Sequence, residues 1–219
     1  MKLLLTSNGL SNQSIVKALF ELVGKPASET NIVFIPTASN VDSGDKDWLI
    51  NDLVNINNQN VACLDIVDIS ALPKEIWFPR LETADVLFFS GGNSNHLMYW
   101  IKQSGLEELL SEMLKTKVWA GISAGSMVTN PTLALSSHDE KIYYEEKFGY
   151  RSEDALGYVN FYTRPHFNSP HFPHANRDYI QKIANEFPVK IYALDDNSAL
   201  KVVDGQVEVI SEGEYEVFN

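Results

Sequence analysis

Short apolar runs alternate with amphipathic stretches along the first half of the chain. The apolar runs have the length of buried strands. They predict strands at residues 2–6, 31–36, 60–65, 84–89 and 117–122. Between these runs the apolar residues recur at helical spacing, as between residues 14 and 23. Helices are predicted at 14–23 and 48–57, with one or two more across 95–114.

Strands that alternate with helices predict an α/β fold, with a mostly parallel sheet flanked by helices. The C-terminal part has a different pattern, with short β-rich runs at 190–194, 199–203 and 206–210. Asp204-Gly205 between the last two runs is a hairpin signal, so a C-terminal antiparallel flap is predicted. Because the chain shows no repeat and no linker-like stretch, we expect residues 1–219 to form a single domain.

Composition narrows the class of protein. The chain has 44% hydrophobic and 21% charged residues, as globular proteins do, and its formal net charge is −12. An acidic surface argues against nucleic-acid or anionic-membrane partners, which need clustered Lys and Arg. No signal peptide or membrane-spanning stretch is recognisable, so a cytoplasmic protein is expected. The single cysteine, Cys63, lies within a predicted strand, where we expect it to be buried in the core.

A serine stands between two glycines directly after the predicted strand 117–122, in the segment Gly121-Ile122-Ser123-Ala124-Gly125. A strand-to-helix corner pushes a serine hydroxyl out of the fold, and the following helix N-terminus offers free N–H groups to an oxyanion. The segment therefore predicts a nucleophile elbow. A glycine-serine turn without chemistry is the alternative.

A nucleophilic serine needs a base and an acid that orients the base. His166 follows a β-rich run, and Pro165 fixes the backbone just before it, which helps to orient the imidazole and favours His166 as the base. His171 and His174 lie in a proline-rich loop that follows it, where a metal site and an exposed loop are the alternatives, and the exposed loop is favoured. The acid candidates are Asp195 and Asp196, which end a predicted strand, and Asp139, which lies further upstream. Position alone does not decide which of them orients the base.

Four segments in this order, FFSGGNSNHL, GISAGSMV, RPHF and ALDDNSAL, resemble the motifs of the peptidase E (α-aspartyl dipeptidase) and cyanophycinase family of serine peptidases. The resemblance spans about residues 30–203 and implies a fold similar to class I glutamine amidotransferases. Because Ser123 stands where the related glutaminases carry cysteine, amidotransferase chemistry is disfavoured.

The resemblance also implies roles for single residues. Ser123 matches the nucleophile, His166 the general base, and Asp196 the acid. Asp139 is the alternative acid. The backbone N–H groups of Gly92 and Ala124 match the oxyanion-hole donors, and no cofactor or metal is implied.

The chain departs from the aspartyl dipeptidases around the histidine, where Arg164 replaces an expected asparagine. A pocket for an acidic substrate side chain needs a cation, which Arg164 or Arg177 could supply; the alternative is that both form surface ion pairs. The expected function is hydrolysis of short peptides, with N-terminal aspartyl dipeptides as one candidate class, by a monomer or homodimer. A non-catalytic binding protein that keeps the fold, and an esterase that uses the same site, are the alternatives.

Overall fold

A computed structural model describes residues 1–41, 43–136, 145–150 and 152–219. The strands are β1 (Lys2–Thr6), β2 (Asn31–Ile35), β3 (Cys63–Ile66), β4 (Val86–Phe89), β5 (Val118–Ile122), β6 (Tyr162–Arg164), β7 (Ile191–Leu194), β8 (Ser198–Val203), β9 (Gln206–Ser211) and β10 (Tyr215–Phe218). The helices include α1 (Gln13–Val23), α2 (Asp47–Asn57), α3 (Lys74–Thr83), α4 (Ser94–Gln103), α5 (Glu107–Met113), α6 (Ala124–Met127) and α7 (Arg177–Ala184).

The main sheet has seven strands in the order β3-β2-β4-β5-β1-β8-β9. The first five are parallel to one another, whereas β8 pairs antiparallel with β1, and β9 pairs antiparallel with β8. A second, three-stranded sheet has the order β10-β7-β6. The predicted fold class, a mostly parallel sheet flanked by helices, is confirmed.

Both faces of the main sheet are covered, which is why its central strands are continuous apolar runs. In β1, Leu3 and Leu5 belong to the core on one face, and Leu4 belongs to the core on the other. Helix α1 covers the second face with Ile15 and Leu19, both fully buried. No helix in the described ranges is long and apolar enough to cross a membrane.

The strands of the C-terminal part that pair antiparallel contribute to both sheets. The predicted hairpin forms, with a turn at Asp204 and Gly205 where φ is 48° and 83°. It extends the main sheet beside β1, and the last strand, β10, pairs with β7 in the second sheet. The hydrophobic pattern did not predict β10, α3, which contains Pro79, or α7.

The prediction that Cys63 is a buried core residue is wrong. Cys63 is exposed and begins β3. Because β3 is the edge strand of the main sheet and is paired only with β2, its side chains are not covered on both faces.

The order of the strands decides which loops meet. In a parallel sheet all strands end at the same edge, and ligands bind in the crevice there. Strands β4, β5 and β1 are neighbours, so the residues that follow them lie together: Gly91 after β4, Ser123 after β5 and Ser7 after β1.

Candidate active site

Ser123 occupies a sharp corner between β5 and α6. Its φ is 46° and its ψ is −102°, a conformation that a non-glycine residue adopts only when its surroundings impose it. The Ser123 N–H donates to the carbonyl of Thr6 at 3.0 Å, and the Ser123 carbonyl accepts the N–H of Ser126 at 2.9 Å. A Cβ at Gly125 would lie 2.4 Å from the carbonyl oxygen of Phe89, so only glycine lets α6 pack this closely on β4. These contacts hold the predicted corner in place.

The structure brings Ser123, His166 and Asp196 together in one hydrogen-bonded chain. The Nε2 atom of His166 lies 3.0 Å from Ser123 Oγ, and its Nδ1 atom lies 2.7 Å from Asp196 Oδ1. His166 follows β6 and has a positive φ of 61°, while Asp196 lies between β7 and β8. The histidine side chain is largely buried, with 13% exposed, and that of Asp196 is 44% exposed.

Ser7 also belongs to this series of hydrogen bonds, and it was not predicted from the sequence. The buried Ser7 hydroxyl donates to Asp196 Oδ1 at 3.0 Å and accepts the backbone N–H of His166 at 2.8 Å. Ser7 therefore connects the histidine backbone to the carboxylate that contacts its ring. The available signal was its position as a polar residue directly after the apolar strand β1.

Asp195 and Asp196 are adjacent in sequence, and position alone does not decide which of them is the acid. In the structure they have different partners. The hydrogen bond with His166 lowers the pKa of Asp196, against an opposing effect of burial, and the charge of His166 and the Ser7 hydroxyl lower it further. Asp195 instead accepts the hydroxyl of Ser198 and the backbone N–H groups of Asn197 and Glu214, which fixes the connection to β8. The other acid candidate, Asp139, lies outside the described residues.

Gly92 and Ala124, the predicted oxyanion donors, flank the serine. Within the described ranges, neither backbone N–H donates a hydrogen bond to another group of the chain. Gly92 has a φ of 126°, and a Cβ there would lie 2.3 Å from the carbonyl oxygen of Ala38, so the position requires glycine. Both N–H groups are thus unpaired within the described ranges, and Gly92 also lines the cavity that contains Ser123.

A cavity of about 410 Å³ lies in front of Ser123. It is lined by Asn8, Trp48, Asp52, Gly91, Gly92, Ile122, Ser123, His166, Ser169, His171, Phe172 and Asp196. The ring of Phe172 is stacked on the imidazole of His166, with 4.0 Å between ring centroids and 7° between planes. Phe172 therefore covers one face of the imidazole.

His171 and His174 are exposed, as predicted. His171 contributes to the cavity, whereas His174 is stacked on Tyr179, with 4.7 Å between ring centroids. Among the described residues, no three His, Cys, Asp or Glu side chains are arranged to hold a metal ion.

Neither arginine considered for substrate binding is part of the cavity lining. Arg164 is buried in β6, with 7% exposed. Arg177 begins α7, and its Nη2 atom lies 3.0 Å from Glu216 Oε1. The substrate-binding role of the two arginines stays a prediction, and the ion pair of Arg177 is of the kind that the alternative interpretation describes.

Comparison with known proteins identifies the chain's relatives. Residues 3–210 match the sequence model of peptidase family S51. An uncharacterised peptidase of Pasteurella multocida is 25% identical over 82% of this chain and 84% of its own length. A peptidase E of Streptomyces coelicolor is 29% identical over 56% of this chain and 51% of its own.

Two solved structures share the fold. A candidate peptidase E of Listeria monocytogenes superposes with a TM-score of 0.77 at 23% identity, over 97% of this chain and 98% of its own. A peptidase from an acI-B1 actinobacterium superposes with a TM-score of 0.64 at 20% identity, over 99% and 93%. Together with the match over nearly the whole sequence, these findings show that the chain belongs to peptidase family S51 and is a serine-type peptide hydrolase.

Proposed function

We propose that this protein hydrolyses short peptides with Ser123 as nucleophile, His166 as general base and Asp196 as the acid that orients the histidine. The observation that supports this most strongly is the continuous contact from Ser123 Oγ through both nitrogens of His166 to Asp196 Oδ1. It lies at the carboxyl edge of the parallel sheet and is open to a cavity. The geometry is that of a nucleophile, a base and an orienting acid.

In the proposed reaction, Ser123 Oγ attacks the scissile carbonyl carbon and His166 Nε2 accepts the hydroxyl proton. Asp196 stabilises the imidazolium that forms, and its lowered pKa keeps it ionised. The same Nε2 then protonates the leaving amine, and a water molecule hydrolyses the acyl-enzyme by the reverse proton path. The N–H groups of Gly92 and Ala124 stabilise the oxyanion, where loss of one donor costs about 10²–10³-fold in rate.

The size and chemistry of the cavity favour short substrates. A volume of about 410 Å³ is in the lower range of small-molecule sites. A preference for N-terminal aspartyl dipeptides stays a prediction, because no Lys or Arg occurs among the described residues that line the cavity. We also expect the protein to be a cytoplasmic monomer or homodimer that works without a bound cofactor, since the three side chains supply all the proton transfers.

Replacement of the nucleophile tests the proposal. Ser123→Ala is expected to lower kcat/KM for peptides by about 10⁴-fold or more, with an unchanged melting temperature. Ser126→Ala is the matched control on the same corner. The Ser126 hydroxyl is buried and donates to the backbone carbonyls of Thr6 and Gly121, so its loss should lower stability and leave kcat within about tenfold.

Substrates and a covalent probe separate the alternatives. Peptides and matched esters are assayed side by side, and an active-site phosphonate is used to label the wild-type protein. Peptide hydrolysis with labelling at Ser123 supports the proposal, and ester hydrolysis alone supports the esterase. An unlabelled protein that turns over neither class is a non-catalytic member of the family. Full peptide activity in Ser123→Ala would contradict the assigned nucleophile.

A further inference from the structure

Asp52 is a buried acid in the wall of the cavity that the proposed reaction does not use. It lies on α2 four residues after Trp48, so both side chains are on one face of the helix, and both line the cavity. Asp52 is only 5% exposed. The next residue on this face, Ile56, is buried in the apolar core, so Asp52 interrupts an otherwise apolar contact surface.

The carboxylate of Asp52 has no partner within the part of the chain that the structure describes. No hydrogen bond or ion pair is made by its side chain there, and the lining of the cavity includes no Lys or Arg. Burial raises the pKa of Asp52 to about 7. A buried, unpaired carboxyl destabilises a fold, so its place beside a cavity points to a partner that arrives with the ligand.

The contacts of α2 place Asp52 near the proposed nucleophile. A Cβ built on Gly9 would lie 3.1 Å both from Asp52 Oδ1 and from Cδ1 of Ile122, the residue directly before Ser123. A Cβ on Gly91 would lie 3.5 Å from the Trp48 ring and 3.6 Å from Ser123 Cβ. The face of α2 that carries Trp48 and Asp52 is therefore next to the corner where the substrate carbonyl would bind.

We propose that Asp52 is the specificity residue of this cavity and binds an ammonium group of the substrate, an inference that rests on the proposed peptidase function. A carboxylate with no internal partner forms its strongest hydrogen bonds with a cationic donor. Two sources in a peptide supply this chemistry: the free α-ammonium group of the N-terminal residue and the side chain of lysine. Trp48 gives the carbon atoms next to that nitrogen an apolar surface.

The same charge disfavours acidic side chains. An aspartyl side chain directed at Asp52 would place two carboxylates close together, and the described lining includes no Lys or Arg to offset them. We therefore expect an Asp-Xaa dipeptide to be cleaved more slowly than the Ala-Xaa dipeptide with the same second residue, since both carry the α-ammonium group.

The test compares paired substrates in three proteins: wild type, Asp52→Asn and Asp47→Asn. Asp47 is a matched control because it lies on the same helix, is exposed, and loses the same charge. One substrate pair differs only in N-terminal acetylation, and the other only in lysine versus norleucine at the first residue. We expect wild type and Asp47→Asn to prefer the cationic member of one pair by about 10- to 100-fold in kcat/KM, and Asp52→Asn to lose that preference.

The pair that shows the preference identifies the source of the ammonium group. A preference that persists in Asp52→Asn, or no preference in wild type, would overturn the assignment of Asp52. Where the lysine pair shows the preference, faster cleavage of Asp-Xaa than of Ala-Xaa by wild type would overturn it as well. In each case Ser123-dependent hydrolysis would leave the proposed function intact.

If no peptide is hydrolysed, the inference is tested by measuring how the peptides bind to the Ser123→Ala protein. Calorimetry with the same peptide pairs should give a lower Kd for the cationic member, and the additional Asp52→Asn change should remove the difference. Failure of hydrolysis and of phosphonate labelling, with this binding preference present, would refute the peptidase proposal alone. Equal binding of both members of each pair, or no binding, would refute the role of Asp52.

Discussion

Two walls of the same cavity differ in how their carboxylates are held. The hydrogen-bonded wall consists of Ser123, His166 and Asp196, with the buried Ser7 behind it, and each of these side chains contacts another of the four. The α2 wall consists of Trp48 and Asp52, and within the described chain the Asp52 carboxylate contacts no hydrogen-bond donor or cation.

The pKa values of the two carboxyls follow this difference. Hydrogen bonds lower the pKa of Asp196, although its side chain is partly buried, whereas burial without a partner raises the pKa of Asp52 to about 7. One wall has its polar contacts in place before substrate arrives, as catalysis requires. The other wall lacks an internal partner, as expected of a surface that recognises a ligand.

The largest effect is expected when the carboxylate of the hydrogen-bonded wall is removed. Asp196→Asn should lower kcat by about 10³–10⁴-fold, because the amide cannot stabilise the imidazolium of His166. Steady-state kinetics with a peptide substrate measures the loss. Asp195→Asn is the neighbouring control, and it should lower the melting temperature while keeping kcat within about tenfold, since the groups that Asp195 binds in the described part of the chain fix the turn to β8. Equal losses in both variants would contradict the distinction between the two acids.

Gly92→Ala should have the next largest effect. The new Cβ would lie 2.3 Å from the Ala38 carbonyl oxygen, so the loop must shift and carry its N–H away from the oxyanion. We expect kcat to fall by about 10²–10³-fold with a smaller change in KM. Gly105→Ala is the control, because Gly105 also has a positive φ, of 74°, but the nearest atom to its Cβ is Lys74 Nζ at 3.8 Å. If both variants keep wild-type kcat, Gly92 is not an oxyanion donor.

Asp52→Asn should raise the free energy of unfolding, in contrast to the loss of stability expected for Asp195→Asn. The pKa of Asp52 in the folded protein, about 7, lies above its ordinary value of 3.8, so the fold keeps a proton that the unfolded chain releases. Stability is therefore lost as pH rises from about 4 to about 7, and the cost stays at its maximum above that range.

Relative to wild type, Asp52→Asn should gain about 3 kcal/mol more in free energy of unfolding at pH 8 than at pH 5. About two pKa units separate pH 5 from the folded-state value, and each is worth about 1.4 kcal/mol. Urea unfolding of both proteins at the two pH values measures this gain, and the difference between the two proteins cancels the pH-dependent contributions that they share. A gain that does not depend on pH would argue against the raised pKa.

Much of the hydrogen-bonded wall could be predicted from the sequence because its residues follow strands. Ser123 lies in a short glycine-flanked motif after β5, and His166 follows a β-rich run, so local patterns mark these two residues. Position left Asp195, Asp196 and Asp139 open as the acid, and the preference for Asp196 rests on the family resemblance. Asp52 could not be predicted in this way, because a polar residue on a helix is normally expected to face solvent. Only the packing of α2 against Gly9 and Ile122 shows that Asp52 is buried.

Other misses have similar physical causes. The exposure of Cys63 depends on β3 being an edge strand, which the strand's own residues do not reveal. The hairpin of β8 and β9 was predicted from its turn, but its pairing with β1 is set by strands that lie far apart in sequence. The alternative acid Asp139 stays a prediction, because it lies outside the described residues.

The proposed catalytic residues also span the two sheets. Ser123 follows β5 of the main sheet, His166 follows β6 of the second sheet, and Asp196 lies on the segment that passes from one sheet to the other. A displacement of about 1 Å at such contacts is enough to cost about a hundredfold in rate. In the proposed mechanism, catalysis therefore requires the two sheets to stay packed against each other. A partial opening that separates them would abolish activity while most of the backbone remains native.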